Sequence, residues 1–445
     1  MIVPRTRLLV WSSLILLPFA AVGATLPGAL PVALLFIGSF VACAVYDALV
    51  ATRAVQGIRV LLPDLVRLQK DRPGSFEVRV QNDHAAAART VRIGFAFPPL
   101  IETTADDQFV TLPAGAPLAS LGWTVTPRER GLFHLDRVYL EAMSPLGFWA
   151  KRTSQSVRTE LRAYPNLFAE RKQVAAFFLR RGLMGSRAHR QTGQGREFEK
   201  LREYLPGDSI DEIHWKASAK RGHPVTKVFQ IERTQEVYVI VDASRLSARK
   251  VTTEAGTVTV LERFVTAALI LGAAAERQGD QFGLLTFSDR VLSFVRAKNG
   301  KDHFDACRDR LYALQPQAVT PDFEELCAFI RLRLRKRALL IFLTDLDDPM
   351  LSESFSRSSD LISRQHLVLV NMMQPAGAAP LFENGDVAAV GEIYQRLGGH
   401  LRWHDLRELG KVLQRRGVRF ALLDPQRLAA EVLAQHADVK ARQLV

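Results

Sequence analysis

No Asp, Glu, Lys or Arg occurs between residues 8 and 46, and that apolar run is broken only near its middle, by Gly23-Ala24-Thr25-Leu26-Pro27-Gly28. A bilayer core of about 30 Å takes roughly 20 apolar residues in a helix. The run therefore predicts two spans, at about 8–24 and 29–50, forming a transmembrane hairpin within residues 1–52. A signal peptide with Arg5 and Arg7 as its basic start would account for the first span and leave the second unexplained. Arg5 and Arg7 precede the hairpin while Arg53, Arg59 and Arg67 follow it, so the positive-inside bias puts both ends in the cytoplasm and Thr25 outside. The expectation is an integral membrane protein whose soluble part is cytoplasmic.

The 445 residues are 48% apolar, enough for two or three domains with real cores. From 53 to 165 short alternating runs are separated by turn residues, as in Phe76-Glu77-Val78-Arg79-Val80 and Val91-Arg92-Ile93-Gly94-Phe95. That pattern predicts a β-sandwich, of immunoglobulin-like type. Residues 166–235 read as a basic connector followed by a charged segment. Arg171, Lys172, Arg180, Arg181, Arg187 and Arg190 flank the apolar patch 174–179, which suits either an amphipathic stretch on anionic lipid or a solvated helix and loop. A helix is expected from Ser209 to Arg221, capped by Asp208 and ended by Gly222.

Val237-Tyr238-Val239-Ile240-Val241 runs without alternation into Asp242, as a strand buried on both faces of a parallel sheet does. Further apolar strands at 281–287, 338–344, 366–371 and 418–423 alternate with helical patterns at 256–277, 301–314, 322–336, 350–364, 405–416 and 425–436. Residues 236–445 are thus expected to form a doubly wound, Rossmann-like α/β domain, with an antiparallel edge strand at 291–295 and a loop-like insertion at 374–403.

The net charge of +13 suits nucleic acid, anionic lipid or an acidic protein. The three cysteines, Cys43, Cys307 and Cys327, lack metal spacing and are expected to be small buried residues. No phosphate loop, zincin motif or nucleophile elbow is present, so the chain is not expected to be an enzyme. The Arg-rich run 331–337 has no interleaved aromatics for stacking bases and reads as a helix end.

The string REYLPGDSIDEIHWKASAKRGHPVTKVFQIE resembles the signature of the domain of unknown function 58 family, carried here by Arg202, Glu203, Tyr204, Gly207, Asp208, Ile213, Trp215, Lys216, Ser218 and Ala219. The segment RGLFHLDRVYLEAMSPLGFWAKR and the two N-terminal spans are similar as well. Departures from the pattern are Asp211 or Glu212 near a usual Arg, Lys220 for an Arg, and Ser144-Pro145-Leu146-Gly147 in place of an Asp-Pro-Phe-Gly turn.

The resemblance implies a von Willebrand factor A-like domain in a bacterial inner-membrane protein that partners a MoxR-type AAA+ ATPase as an adaptor. It also implies a metal ion-dependent adhesion site for Mg²⁺, with Asp242, Ser244, Thr320 and Asp345 standing in the right order. Leu246 stands where a second Ser belongs, which makes that site degenerate. Two other classes stay open: a metal-dependent hydrolase, and a binder of anionic lipid or nucleic acid through residues 171–196.

Overall fold

The computed structural model describes residues 1–83, 89–113, 118–168, 170, 172, 174–175, 192–205, 210, 213–230, 235–253, 256–381 and 390–442, with residues 27, 192–200 and 227–230 described by backbone alone. The chain divides into two compact units, Met1–Asn166 and Leu167–Val445.

In the first unit the apolar run forms two helices, α1 (Thr6–Thr25) and α2 (Leu30–Ala51), both long and apolar enough to cross a membrane. The turn between them follows from its residues. The Thr25 hydroxyl donates back to the Ala21 carbonyl at 2.9 Å, and Pro31, which lacks an amide hydrogen, sits in the first turn of α2, where that donor is dispensable. Phe19 and Phe36 stack across the pair with ring centroids 4.7 Å apart. Cys43 is exposed on α2, which corrects its expected burial: an apolar helix outside the core turns small residues outward as readily as large ones.

The remainder of this unit is two β-sheets over one core. One has the order Ile2–Pro4, Trp149–Tyr164, Gly131–Met143, Arg89–Phe95, Asp107–Leu112, with Leu65–Gln69 parallel to Trp149–Tyr164. The other runs Ile58–Leu61, Gly74–Asn82, Leu118–Pro127, Ile101–Thr103. Alternating inward residues of both sheets, among them Val78, Ile93, Leu112, Trp123, Leu135 and Leu161, are fully buried together. The Trp123 indole N–H donates to the Thr103 hydroxyl at 3.1 Å, satisfying the one polar atom that this ring carries into the core.

In the second unit the strands Thr192–Glu203 and Val225–Gln230 pair antiparallel, and the short helix α3 (Trp215–Arg221) lies between them in sequence. Within the expected helix Ile213 and His214 are not helical. Ile213 is held in a bridge to Thr226, and His214 Nδ1 accepts from the Ala217 amide at 3.1 Å, so His214 supplies the cap. Gly222 closes the helix at φ 73°, as its position implied. Gly207, Asp208, Ser209, Asp211, Glu212 and most of the connector at 171–196 lie outside the described residues.

The main sheet has six strands: β1 (Glu236–Asp242), β2 (Gln281–Phe287), β3 (Val291–Lys298), β4 (Leu339–Leu343), β5 (Leu367–Met373) and β6 (Val418–Leu423). Their order is β3-β2-β1-β4-β5-β6, parallel except for the antiparallel edge β3. The helices are α4 (Val260–Arg277), α5 (Lys301–Leu311), α6 (Phe323–Arg333), α7 (Pro349–Ser363), α8 (Val390–Arg415) and α9 (Leu428–Ala441). One face of the sheet packs on α4, α5 and α9, and the other on α6, α7 and α8. Strand β1 is central, with Val237, Val239 and Val241 in one core and Tyr238 and Ile240 in the other.

Two readings of helix extent are corrected. Residues 256–259 form a short antiparallel pair with Lys250–Thr253, because Thr257, Val258 and Thr259 are β-branched. Helix α4 then starts behind Thr259, whose hydroxyl accepts from the Glu262 amide at 3.3 Å. The stretch 390–403, expected to be loop, is the first half of α8. Val390, Ile393, Tyr394, Leu397 and Leu401 recur at helical spacing there, and Gly399 is required because a Cβ would lie 2.0 Å from the Gly377 carbonyl.

Gly283 in β2 carries the same kind of constraint, since a Cβ there would stand 2.4 Å from the Tyr238 ring of β1. Gly283→Ala is expected to cost about 2–3 kcal/mol through forced displacement of that ring. A urea midpoint in detergent that does not move would contradict this.

Candidate functional site at the carboxyl edge of the sheet

Parallel α/β sheets present functional groups where strands end, and β1 and β4 end here on Asp242 and on Thr344-Asp345. Asp242 is fully buried. Its Oδ1 accepts from the Ser244 amide at 2.8 Å, and its Oδ2 accepts from the Thr344 hydroxyl at 2.6 Å. Burial pushes its carboxyl above the ordinary carboxylate range; the Thr344 and Ser244 hydrogen bonds oppose that rise, and the neighbouring Asp345 charge adds to it.

Asp345, also buried, is held above the ordinary range by burial and drawn back by Arg249 and Arg402. The Arg249 guanidinium approaches Asp345 Oδ2 at 2.9 Å as an ion pair without aligned hydrogen-bond geometry. Asp345 Oδ1 accepts from the Asp347 amide at 3.0 Å. Arg402 of α8 grips both oxygens of Asp347 and so ties the loop after β4 to that helix.

The turn after β1 is built by Ser244, whose hydroxyl accepts from the Leu246 amide at 3.4 Å, while the Ser247 hydroxyl donates to the Ser244 carbonyl at 2.8 Å. The loop before α6 docks onto it: the Gln317 amide donates to the Ala243 carbonyl at 2.7 Å, and the Arg245 amide to the Val319 carbonyl at 3.0 Å. These backbone bonds carry Thr320 to the same edge, where its hydroxyl accepts from Arg245 Nε at 3.3 Å.

The fold thus brings Asp242, Ser244, Thr320 and Asp345 to one edge. As arranged they do not fit a divalent ion. Both Asp242 oxygens and the Thr320 hydroxyl accept hydrogen bonds from the chain, Arg249 stands on Asp345, and Leu246 offers no oxygen. Among the described residues no group of three or more His, Cys, Asp or Glu side chains is placed to hold a metal. Arg249 was not legible as part of this site; the only available signal was a cation a few residues past an Asp-x-Ser turn.

Elsewhere the candidate chemistry is quiet. Burial pushes the Cys307 and Cys327 thiols up to about 12, far from the thiolate that a nucleophile needs. Of the signature residues, Ser218 ties α3 to the following strand: its hydroxyl accepts from the Val225 amide at 2.9 Å and donates to the His214 carbonyl at 3.0 Å. Trp215 is exposed.

These features define the class: a multidomain protein with two apolar N-terminal helices, a β unit, and an α/β unit with a mixed sheet and a partnered acidic edge. Residues 200–391 match the family model described as "Protein of unknown function DUF58". It is 26% identical over 200 residues to uncharacterized proteins of Mycobacterium tuberculosis and Mycobacterium bovis, a match covering 44% of this chain and 60% of each relative. Among solved structures it is similar to a conserved hypothetical protein, BatB, of Bacteroides thetaiotaomicron, at 13% identity over 47% of this chain and 99% of that one, with TM-score 0.30. An aerotolerance-related membrane protein of Bacteroides fragilis is similar at 14% identity over 46% of this chain and 98% of that one, with TM-score 0.29. The class of the α/β unit follows from its own strand order, which these scores do not extend.

Proposed function

We propose that the chain is a membrane-anchored, non-enzymatic interaction protein, in which an immunoglobulin-like sandwich accompanies a Rossmann-like, von Willebrand factor A-like module. The observation that supports this reading best is the sheet edge. A reaction centre needs a group poised to change its bonding, whereas here each oxygen of Asp242 already accepts a hydrogen bond, from Ser244 and from Thr344, and Asp345 carries its own counter-ion in Arg249. An edge whose buried carboxylates already have their partners suits a module that binds other proteins and turns over no substrate. The two helices, both long and apolar enough to cross a membrane, supply the anchor.

The family resemblance adds the partner class, a MoxR-type AAA+ ATPase, and the setting, the bacterial inner membrane with both units on the cytoplasmic side. Affinity-tagged full chain purified from native membranes is expected to retain an AAA+ ATPase in at least one nucleotide state. If ATP, ADP and a non-hydrolysable analogue all leave the eluate free of such an ATPase, the partnership is wrong.

A further inference from the structure

Strand β6 ends the main sheet with one side unpaired among the described residues. Leu423 turns its carbonyl toward β5, where it accepts from the Gln374 amide at 2.9 Å just past that strand. Backbone groups alternate sides along a strand, so the amides and carbonyls of Phe420 and Leu422 face the open side. The sequence Val418-Arg419-Phe420-Ala421-Leu422-Leu423 contains no proline, and its pairing with β5 runs without a register shift, so two of the usual devices that blunt an edge are missing.

Alongside this edge α8 and β6 enclose a cleft of about 660 Å³. Its apolar lining includes Phe420 and Leu422, and its basic lining is Arg407, Lys411 and Arg419. The Arg407 guanidinium lies 4.8 Å from the centroid of the Trp403 ring, a stacking that orients it and leaves its N–H edge available. Lys411 pairs with Glu408 at 2.7 Å in an exposed contact of small worth. Arg419 is exposed on the edge strand itself. Open main-chain donors and acceptors, an apolar floor and nearby cations make a combination that an extended acidic chain satisfies: its backbone pairs with β6, alternate apolar side chains meet Phe420 and Leu422, its carboxylates on the opposite face meet Arg419, and Arg407 and Lys411 attract its net negative charge.

We propose that this cleft docks an extended acidic segment of a partner protein, which adds to the sheet as a further strand beside β6. The proposal goes beyond the anchored-adaptor reading and does not depend on the ATPase: the pull-down can fail while this edge binds its segment. The test uses the full chain in detergent micelles and a fluorescein-labelled octapeptide of alternating Glu and Val, with a Lys–Val octapeptide as control, read by fluorescence polarisation.

Saturable binding roughly tenfold tighter for the acidic peptide is expected, with each of two variants weakening it about tenfold. Arg407→Glu with Arg419→Glu reverses the charge on exposed positions and leaves the core alone. Leu422→Pro removes an outward amide while leaving the β5 ladder intact, and circular dichroism checks its folding; if it does not fold, the charge reversal decides alone. Absence of saturable binding, equal binding of the Lys–Val peptide, or loss in only one of two folded variants overturns the proposal. So does a single-stranded oligothymidylate that binds more tightly than the peptide and is lost on charge reversal.

Discussion

Arg249→Ala is expected to destabilise the α/β unit by roughly 2–4 kcal/mol, because it leaves a buried carboxylate without its nearest counter-ion. Asp345 is almost wholly enclosed and its charge already bears on Asp242, so the two carboxylates then face each other with only Arg402 near Asp345. Melting of this unit should fall by about 5–10 °C.

The pH dependence separates charge from packing. Burial already holds the Asp345 carboxyl above its ordinary range, and loss of Arg249 raises it further. A carboxyl whose folded value exceeds its unfolded one contributes stability that is fully present below about pH 4 and is lost as pH rises through the folded value. The deficit of the variant should therefore be largest near pH 8 and shrink on acidification toward pH 5. A deficit of the same size at both pH values would mean that the guanidinium acts by packing.

Mg²⁺ tests the same site from the other side. Millimolar Mg²⁺ is expected to leave the wild-type transition in place and to restore part of the loss in Arg249→Ala, where Asp345 Oδ2 becomes available. Tight Mg²⁺ binding by the wild-type chain in titration calorimetry, abolished by Asp242→Ala, would return the edge to a metal site.

The contrast between Asp242 and Arg249 shows what the sequence carried. Asp242 could be placed because an unbroken apolar run must be a strand buried on both faces, and a polar residue ending such a run falls at the sheet edge. Leu246 could be read as a lost ligand because its place is fixed by a local turn. Arg249 could not, since its role depends on how far a flexible side chain reaches from that turn to a loop almost 100 residues later. Helix α3 failed for a related reason. Asp208 and Ser209 offered good capping chemistry, but the bridge from Ile213 to Thr226, a tertiary contact, keeps Ile213 out of the helix that starts at Trp215. In α8 the apolar spacing was present, and Gly398-Gly399 masked it by suggesting a loop; the close passage of Gly377 accounts for Gly399.

Asp47→Ala is expected to cost the first unit about 2–4 kcal/mol, an effect that hydropathy alone would not suggest for a residue near the end of an apolar helix. Asp47 is buried, and it gathers three donors from the turn between two long strands: the Ser144 hydroxyl at 2.5 Å and the amides of Leu146 at 3.0 Å and Phe148 at 3.2 Å. One turn earlier on α2 the Ala44 carbonyl accepts from the Trp149 indole at 2.9 Å. These bonds bolt the end of α2 to the Ser144-Pro145-Leu146-Gly147 turn. The Asp-Pro-Phe-Gly form of that turn would bring its own carboxylate to position 144, beside Asp47; Ser144 instead brings a hydroxyl that donates to it. Truncating Asp47 strands all three donors in a place where water has little access, whereas Asp47→Asn keeps the acceptor oxygen and should lose less. Limited proteolysis of the detergent-solubilised chain reads this directly. Cleavage between 143 and 149 should accelerate markedly in Asp47→Ala and only slightly in Asp47→Asn. Equal protection in all three chains would show that the helix end and the turn are held by the Trp149 contact and do not need the carboxylate.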